Sequence, residues 1–319
     1  MYNNPSKNKI MNIEEILNRV DNVKPESNYW FVRTDYGKYF NEFVENRYIA
    51  IGWDFLSLFE LQNKNEEYVR AKIIKEEKID VSTFGGKVKL STIYNKIGTF
   101  LSLKKDDVVV IPSKNSDELA FGRIVDDHAF EDGNAKEFRK RRKVEWFALK
   151  SMRDLNPIFF KVKSNQHTIS NITDYAPHID RVMGVLFQKS DKTHYVLNIE
   201  NPDDIKYDDL EILMRNIKTL VGNINDKFGF EDDLDEFYVK ISLQSKGSLE
   251  LIKTGKALII LAFILSLTSC KNNNELIDDK IQEFMIENEQ ILSKTDEVIN
   301  NLRINTQELT EPFINEHGN

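Results

Sequence analysis

A single cysteine, Cys270, stands in a chain of 319 residues. No internal disulfide can form and no thiolate cluster can hold zinc, so a reducing compartment is the default for most of the chain. Histidine is scarce as well: His128, His167, His178, His194 and His317 show neither HExxH nor HxH spacing, which leaves no paired ligand set for a metal. GxxxxGK[ST], GxGxxG and GxSxG are all absent, and with them the strongest signatures of nucleotide hydrolysis, Rossmann binding and serine hydrolysis. Glu236 and Lys240 share one predicted strand but lie four residues apart, not two, so they do not form the acid-x-Lys ending of a metal-dependent nuclease. The expectation is a protein without catalytic residues, metal or cofactor.

What is present is a chain long enough for about two domains. With 40% hydrophobic and 30% charged residues it is neither disordered nor polytopic, and 13 Gly with 7 Pro exclude a fibrous chain. The net charge of −8 is unevenly spread: residues 271–319 carry four bases and eleven acids, so 40 bases and 41 acids remain in the first 270. The body is near neutral and the tail is acidic, so the total does not argue against a phosphate-bearing ligand.

The spacing predicts a short amphipathic helix through Ile13, Ile16, Leu17 and Val20, with Asn12 and Glu15 placed as a capping box. After Pro25 come strand-like runs at 29–33, 48–53, 107–111, 119–125 and 142–147, with helices near 39–45, 64–76 and 91–101. Short β-branched and aromatic runs with helical insertions predict a small, strongly bent sheet or barrel. From Ser164 the order is a small α+β module: an irregular-to-helical stretch at 168–180, strands at 182–188 and 194–199, a helix at 208–221 and a strand at 236–242. The expected fold class is therefore α+β. The expected division is an N-terminal helix (1–25), a bent β-barrel domain (26–163), an α+β connector (164–248), an apolar segment (249–271) and a coiled-coil tail (272–319).

Aromatic and basic residues concentrate in the barrel-like part. Arg139-Lys-Arg-Arg-Lys143 places five consecutive bases just before Trp146. Aromatic faces beside cations can stack a base and hold its phosphate; core packing and a charged strand edge are the structural alternatives. Five ordered blocks, Tyr29-Trp-Phe-Val-Arg33, Phe40 to Trp53, Leu103 to Pro112, Phe121-Gly-Arg-Ile124 and Arg142-Lys-Val-Glu-Trp146, resemble the EVE/PUA-like domains at the N-terminus of Mrr-type restriction and other phage-defence proteins. The resemblance covers about residues 26–150. It implies a β-barrel with a pocket for a base, often modified or extruded, and puts Trp30, Trp53, Phe121, Arg123 and Trp146 near that pocket, with Arg139, Arg141 and Arg142 as the accompanying cations.

The C-terminal part differs in kind. Ala257 to Cys270 is a run of fourteen uncharged residues flanked by Lys253, Lys256 and Lys271. It is shorter than the roughly 20 residues that span a bilayer, yet it has no polar face, and a helix apolar all round must be covered on every side. Membrane insertion, with snorkelling lysines, is the expectation; a buried core helix is the alternative. Leu267-Thr-Ser-Cys270 has the look of a lipoprotein box but lies too far along the chain for an export signal. Positions 277, 281, 284, 288, 291, 295, 298 and 302 read Ile, Ile, Phe, Asn, Ile, Thr, Val, Leu, a heptad seam with two polar places. Ser266, Thr268 and Ser269 would face a shared interior, and Asn288 and Thr295 would fix the register of an oligomer.

This arrangement is similar to the channel effectors of nucleotidyltransferase-controlled defence, such as the Hailong type. The similarity implies a homo-oligomeric antiviral membrane channel gated by a short DNA oligomer, modified base or nucleotide, with a nucleotidyltransferase as partner. The lysines ahead of the apolar run then favour a bacterial inner-membrane protein with a cytoplasmic N-terminal body. The alternative is a modified-DNA-binding module that brings a partner restriction nuclease to its target. In that case residues 257–270 lie inside a core.

Overall fold

The computed structural model describes residues 11–201, 203–242, 247–269, 277–306, 308 and 313. In chain order the elements are α1 (Ile13–Asn18), β1 (Asp21–Val23), β2 (Tyr29–Val32), α2 (Phe40–Glu45), β3 (Tyr48–Ile51), α3 (Leu58–Asn63), α4 (Glu66–Glu76) and α5 (Phe84–Leu101). They continue with β4 (Val108–Pro112), β5 (Glu118–Ile124), β6 (Phe130–Glu131), β7 (Lys140–Ser151), α6 (Phe159–Lys163), β8 (Ile169–Asn171) and α7 (Ala176–Met183). The last are β9 (Leu186–Lys189), β10 (Lys192–Ile199), α8 (Tyr207–Phe228), β11 (Phe237–Ser242), β12 (Gly247–Thr254), α9 (Ala257–Ser269), α10 (Asp279–Glu287) and α11 (Glu289–Asn301). The fold is mixed α+β. It divides into two units, 1–25 with 183–319, and 26–182, so the apolar segment, the tail and residues 183–248 of the expected connector join the N-terminal helix in one unit, while residues 164–182 of that connector belong with the curled sheet.

The unit 26–182 is built on a curled half-barrel sheet of order β3-β7-β5-β4-β2-β8, with β6 paired to β7. β2 and β4 run parallel and the remaining neighbours are antiparallel. The curl has a local cause in a register shift between Phe121 and Gly122 against β7. A β-bulge of this kind bends the strand and increases its twist. A Cβ at residue 122 would come within 2.5 Å of Trp146 and 2.4 Å of Val144, so glycine lets the two strands close. Val32, Phe43, Ile49, Ile51, Phe100, Val109 and Val144 fill one face and Tyr29, Phe31, Val110, Phe121, Phe159 and Ile179 the other. Both faces are covered, which explains why β4 reads as an unbroken apolar run. A helical insertion, α3 to α5, packs its own core around Leu56, Val69, Ile73, Ile93 and Ile97.

In the other unit, a sheet of order β1-β9-β10-β12-β11 carries its helices against the face formed by Leu186, Tyr195, Leu197, Leu249 and Leu251. α9 is the centre of that core. Every residue from Ala257 to Leu265 is at most 1% exposed, enclosed by α1, α8, α11 and β10. Seven of these are large side chains, and burying them contributes on the order of 10–20 kcal/mol before conformational entropy is counted. The all-round apolar helix is thus a core helix, and no helix among the described residues is long and apolar enough to cross a membrane. Its start is fixed by Asp232, whose carboxylate accepts the amides of Lys256 and Ala257 at 2.9 Å. Lys253, expected to snorkel, is fully buried and ion-paired to Asp232 at 3.5 Å. The first six residues of the expected apolar segment, 249–254, belong to the strand β12. It is separated from α9 at Gly255, where φ is +100° and a Cβ would strike the Asp232 carboxylate at 2.0 Å.

The heptad seam faces inward too. α10 and α11 meet at Asn288, and Ile281, Phe284, Val298 and Leu302 belong to the α9 core, with Ile277 and Ile291 partly buried against it. The two polar seam residues are matched by two asparagines of α8: Asn223 donates to Asn288 at 2.6 Å and Asn216 to Thr295 at 3.1 Å. They set the register of an intramolecular pairing, because an unmatched amide or hydroxyl in this core would cost about 1–3 kcal/mol. This corrects the expected oligomeric seam. Ser266 and Thr268 turn their hydroxyls back onto the carbonyls of Phe263 and Leu265. The Ser269 side chain and Cys270 lie outside the described residues.

Candidate functional site

Trp53 follows the last residue pair of β3 with φ at +59°, and Phe138, just ahead of β7, has φ at +54°. Bulky residues rarely take this left-handed conformation, and it persists only where the surroundings enforce it. At Phe138 the enforcing group is Asp54. Its carboxylate accepts the amides of Phe138 at 2.8 Å and Arg139 at 3.0 Å and meets Lys140 Nζ at 3.2 Å. One carboxylate therefore ties the end of β3 to the start of β7, and the two half-buried aromatic side chains Trp53 and Phe138 rest on the same core. Tyr39 packs on Phe138 with ring centroids 4.4 Å apart, and its hydroxyl donates to Glu137. Arg139 sits next to this pair, loosely paired with Glu131 at 3.4 Å and about one-third exposed.

The five-base block splits by strand alternation. Lys140 is fully buried, donating to the carbonyls of Trp53 and Leu56 as well as to Asp54; burial depresses its pKa and Asp54 opposes the shift. Arg142 is also fully buried, with Nη1 on the Asp127 carbonyl at 3.0 Å and Nε and Nη2 without partners among the described residues. Burial lowers its pKa, against the attraction of Asp126, Asp127 and Asp107. Arg141 lies over the Tyr48 ring at 4.0 Å and pairs with Asp132 at 2.6 Å. Only Arg139 and Lys143 of the five offer charge to solvent, so the block is chiefly an internal staple and not the cationic face expected from it.

The other expected residues separate as clearly. Trp30 and Trp146 are half-buried and their indole N–H groups are committed, to Asp107 at 3.0 Å and to the Phe43 carbonyl at 3.1 Å. Phe121 is completely buried and packs edge-on against Phe159; it is core, so its expected place in a pocket is corrected. Arg123 lies in register with Glu145 on the neighbouring strand. Of the expected set, Trp53 and Arg139 share one rim, and Phe138, Tyr39 and Asp54 join them unforeseen. An aromatic residue immediately before the basic block was the only available signal for Phe138.

Two further features lie apart from this rim. A cleft of about 370 Å³ between α4 and α5 is floored by Leu61, Val69, Ile97 and Leu101 and rimmed by Lys64, Glu66, Asn95 and Thr99. In the other unit, His194 meets Glu250 at 2.8 Å and stacks on Phe187 at 4.7 Å. Among the described residues no group of His, Cys, Asp and Glu is arranged to hold a metal ion.

Residues 30–173 match the model of a family described as a domain of unknown function, DUF8426. The match spans most of the curled-sheet unit and under half of the chain. No curated protein and no solved structure matches.

Proposed function

We propose that the protein is a nucleic-acid-binding module that holds one base, modified or extruded from its strand, against Trp53 and Phe138, with Arg139 engaging the adjoining phosphate. The observation that carries this reading is the pair of bulky aromatics at positive φ, Trp53 and Phe138, on either side of Asp54, whose carboxylate holds the Phe138 amide. Backbone strain of this kind costs on the order of 1–3 kcal/mol per residue and gathers where a protein contacts its ligand. Half-buried indole and phenyl faces beside a guanidinium suit a planar base and its phosphate, which need stacking and a cation. The ordered blocks that resemble EVE/PUA-like domains of phage-defence proteins support the same ligand class. Because α9 and the heptad seam are both consumed by internal packing, a binding module is favoured over a gated channel.

The test is fluorescence anisotropy with labelled single strands and with duplexes carrying a mismatch or a modified base. Trp53→Ala is expected to weaken binding about 5- to 150-fold, the equivalent of roughly 1–3 kcal/mol of stacking. Arg139→Gln leaves the aromatic packing in place. It is expected to reduce the slope of log affinity against log salt by about 0.9 on duplex and 0.7 on single strands, one phosphate contact. Unchanged affinity and salt slope in correctly folded Arg139→Gln, together with unchanged affinity in Trp53→Ala, would refute the assignment.

A further inference from the structure

The five-stranded sheet ends in β11, which pairs with β12 on one side and, among the described residues, with nothing on the other. Its sequence is Phe237-Tyr-Val-Lys-Ile-Ser242, four apolar residues in six, with Tyr238 50% and Ile241 54% exposed. The opposite edge, β1, has only three residues, a common way to blunt an edge. A six-residue apolar edge with outward N–H and C=O groups is a template for another strand.

The side chains of β11 choose the occupant. Phe237 and Val239 lie against the helix-covered core, and by alternation Ile241 shares their face. Tyr238 and Lys240 take the other face, where Lys240 reaches Glu250 at 3.7 Å and Lys192 lies over the Tyr238 ring at 5.1 Å. Consider a second β11 laid antiparallel across a two-fold axis through Val239. Phe237 then falls opposite Ile241 of the second copy, Val239 opposite Val239, and Tyr238 opposite Lys240. Every apolar residue on the helix side meets an apolar residue, and each lysine meets a ring. Moving the axis one residue on, to Lys240, sets two lysines directly opposite each other, which like-charge repulsion disfavours. Moving it one residue back, to Tyr238, sets Ile241 opposite Asp235. Because cross-strand partners must share a face, the registers come in steps of one residue at the axis, and of these three the one centred on Val239 gives every helix-side apolar residue an apolar partner without opposing two lysines.

We infer that two copies of this chain associate edge to edge through β11, in antiparallel register centred on Val239, to form one continuous ten-stranded sheet. The surface is distinct from the rim at Trp53, and the pairing does not depend on nucleic acid.

Sedimentation velocity of the full chain over a wide concentration range tests this. The expected result is a reversible dimer. Tyr238→Lys sets two lysine pairs across the interface and is expected to weaken the dimer about tenfold, whereas Tyr238→Glu, facing Lys240, retains it. Neither substitution touches the helix-side core. For the register, Val239→Cys in a Cys270→Ser background is expected to crosslink on oxidation, since facing Cα atoms about 4.5–5.5 Å apart suit a disulfide; Lys240→Cys is expected not to. A monomer at every concentration would overturn the inference. So would a dimer that responds equally to Tyr238→Lys and Tyr238→Glu, or one in which Val239→Cys fails to crosslink.

Discussion

Removing Asp54 should unsettle the molecule more than removing the lysine it serves, because the two side chains stand in different surroundings. Lys140 is 0% exposed and Asp54 22%. Asp54→Ala leaves the buried ammonium with only the carbonyls of Trp53 and Leu56, and it strips the amides of Phe138 and Arg139 of their acceptor. Breaking a buried pair from one side costs about 3–5 kcal/mol, a large share of an ordinary domain's stability of about 5–15 kcal/mol. Lys140→Met instead leaves only the Leu56 carbonyl unmet, since the Trp53 carbonyl still accepts the Leu56 amide at 3.0 Å, about 1–3 kcal/mol in all, while Asp54 keeps both amide bonds and some water. The double variant Lys140→Met with Asp54→Ala should fall short of the sum of the two by about 0.5–3 kcal/mol. Urea unfolding followed by tryptophan fluorescence reads this directly, since Trp30, Trp53 and Trp146 all lie in the curled-sheet unit. A loss below about 1 kcal/mol in Asp54→Ala, or strict additivity in the double variant, would show that Lys140 is not an internal staple.

Two other predictions concern the core and the pH response. Leu261→Ala, at the centre of α9 and 0% exposed, should cost about 2.7–5 kcal/mol in urea unfolding, and a change below about 1 kcal/mol would mean that α9 is not packed as described. Glu60 accepts from Lys72, from the Ser57 backbone and from Tyr68, which together hold its pKa down to about 2 from 4.5. A depressed carboxylate stabilises the fold above its unfolded pKa and loses that contribution as pH falls through the folded value. The contribution should therefore fade between pH 4.5 and about 2, and Glu60→Gln should flatten the acid limb of the stability profile in that window; an unchanged limb would count against it.

The sequence by itself determined most of the local elements, because their signals are local. The capping box at Asn12 and Glu15 is present as read, and β2, β3, β4, β5 and β10 fall within one or two residues of their apolar runs. α5 begins at Phe84, earlier than expected, since Thr83 caps it and the Gly85-Gly86 pair continues the helix instead of breaking it. β12 went unread because its alternating residues merged with the apolar run after it, and only Gly255 against Asp232 separates the two. The candidate rim was half legible: Trp53 and Arg139 stood out by type, but Asp54, which binds them together, is an ordinary acid until residues 138–140 are brought to it.

Which surface covers an apolar residue, and which acid answers a base, are properties of neighbours distant in the chain. Ala257 to Leu265 required cover on all sides, and composition could not choose between lipid and protein; α1, α8, α11 and β10 made the choice. The heptad spacing required a partner, and Asn223 and Asn216 of α8 supplied it from within the same chain. Five consecutive bases required compensation or a ligand, and strand alternation sent two inward to buried acceptors and left two facing water. Periodicity states that a face must be met, and tertiary structure decides what meets it, because the free energy of burying an apolar or charged group depends on the atoms that replace water around it.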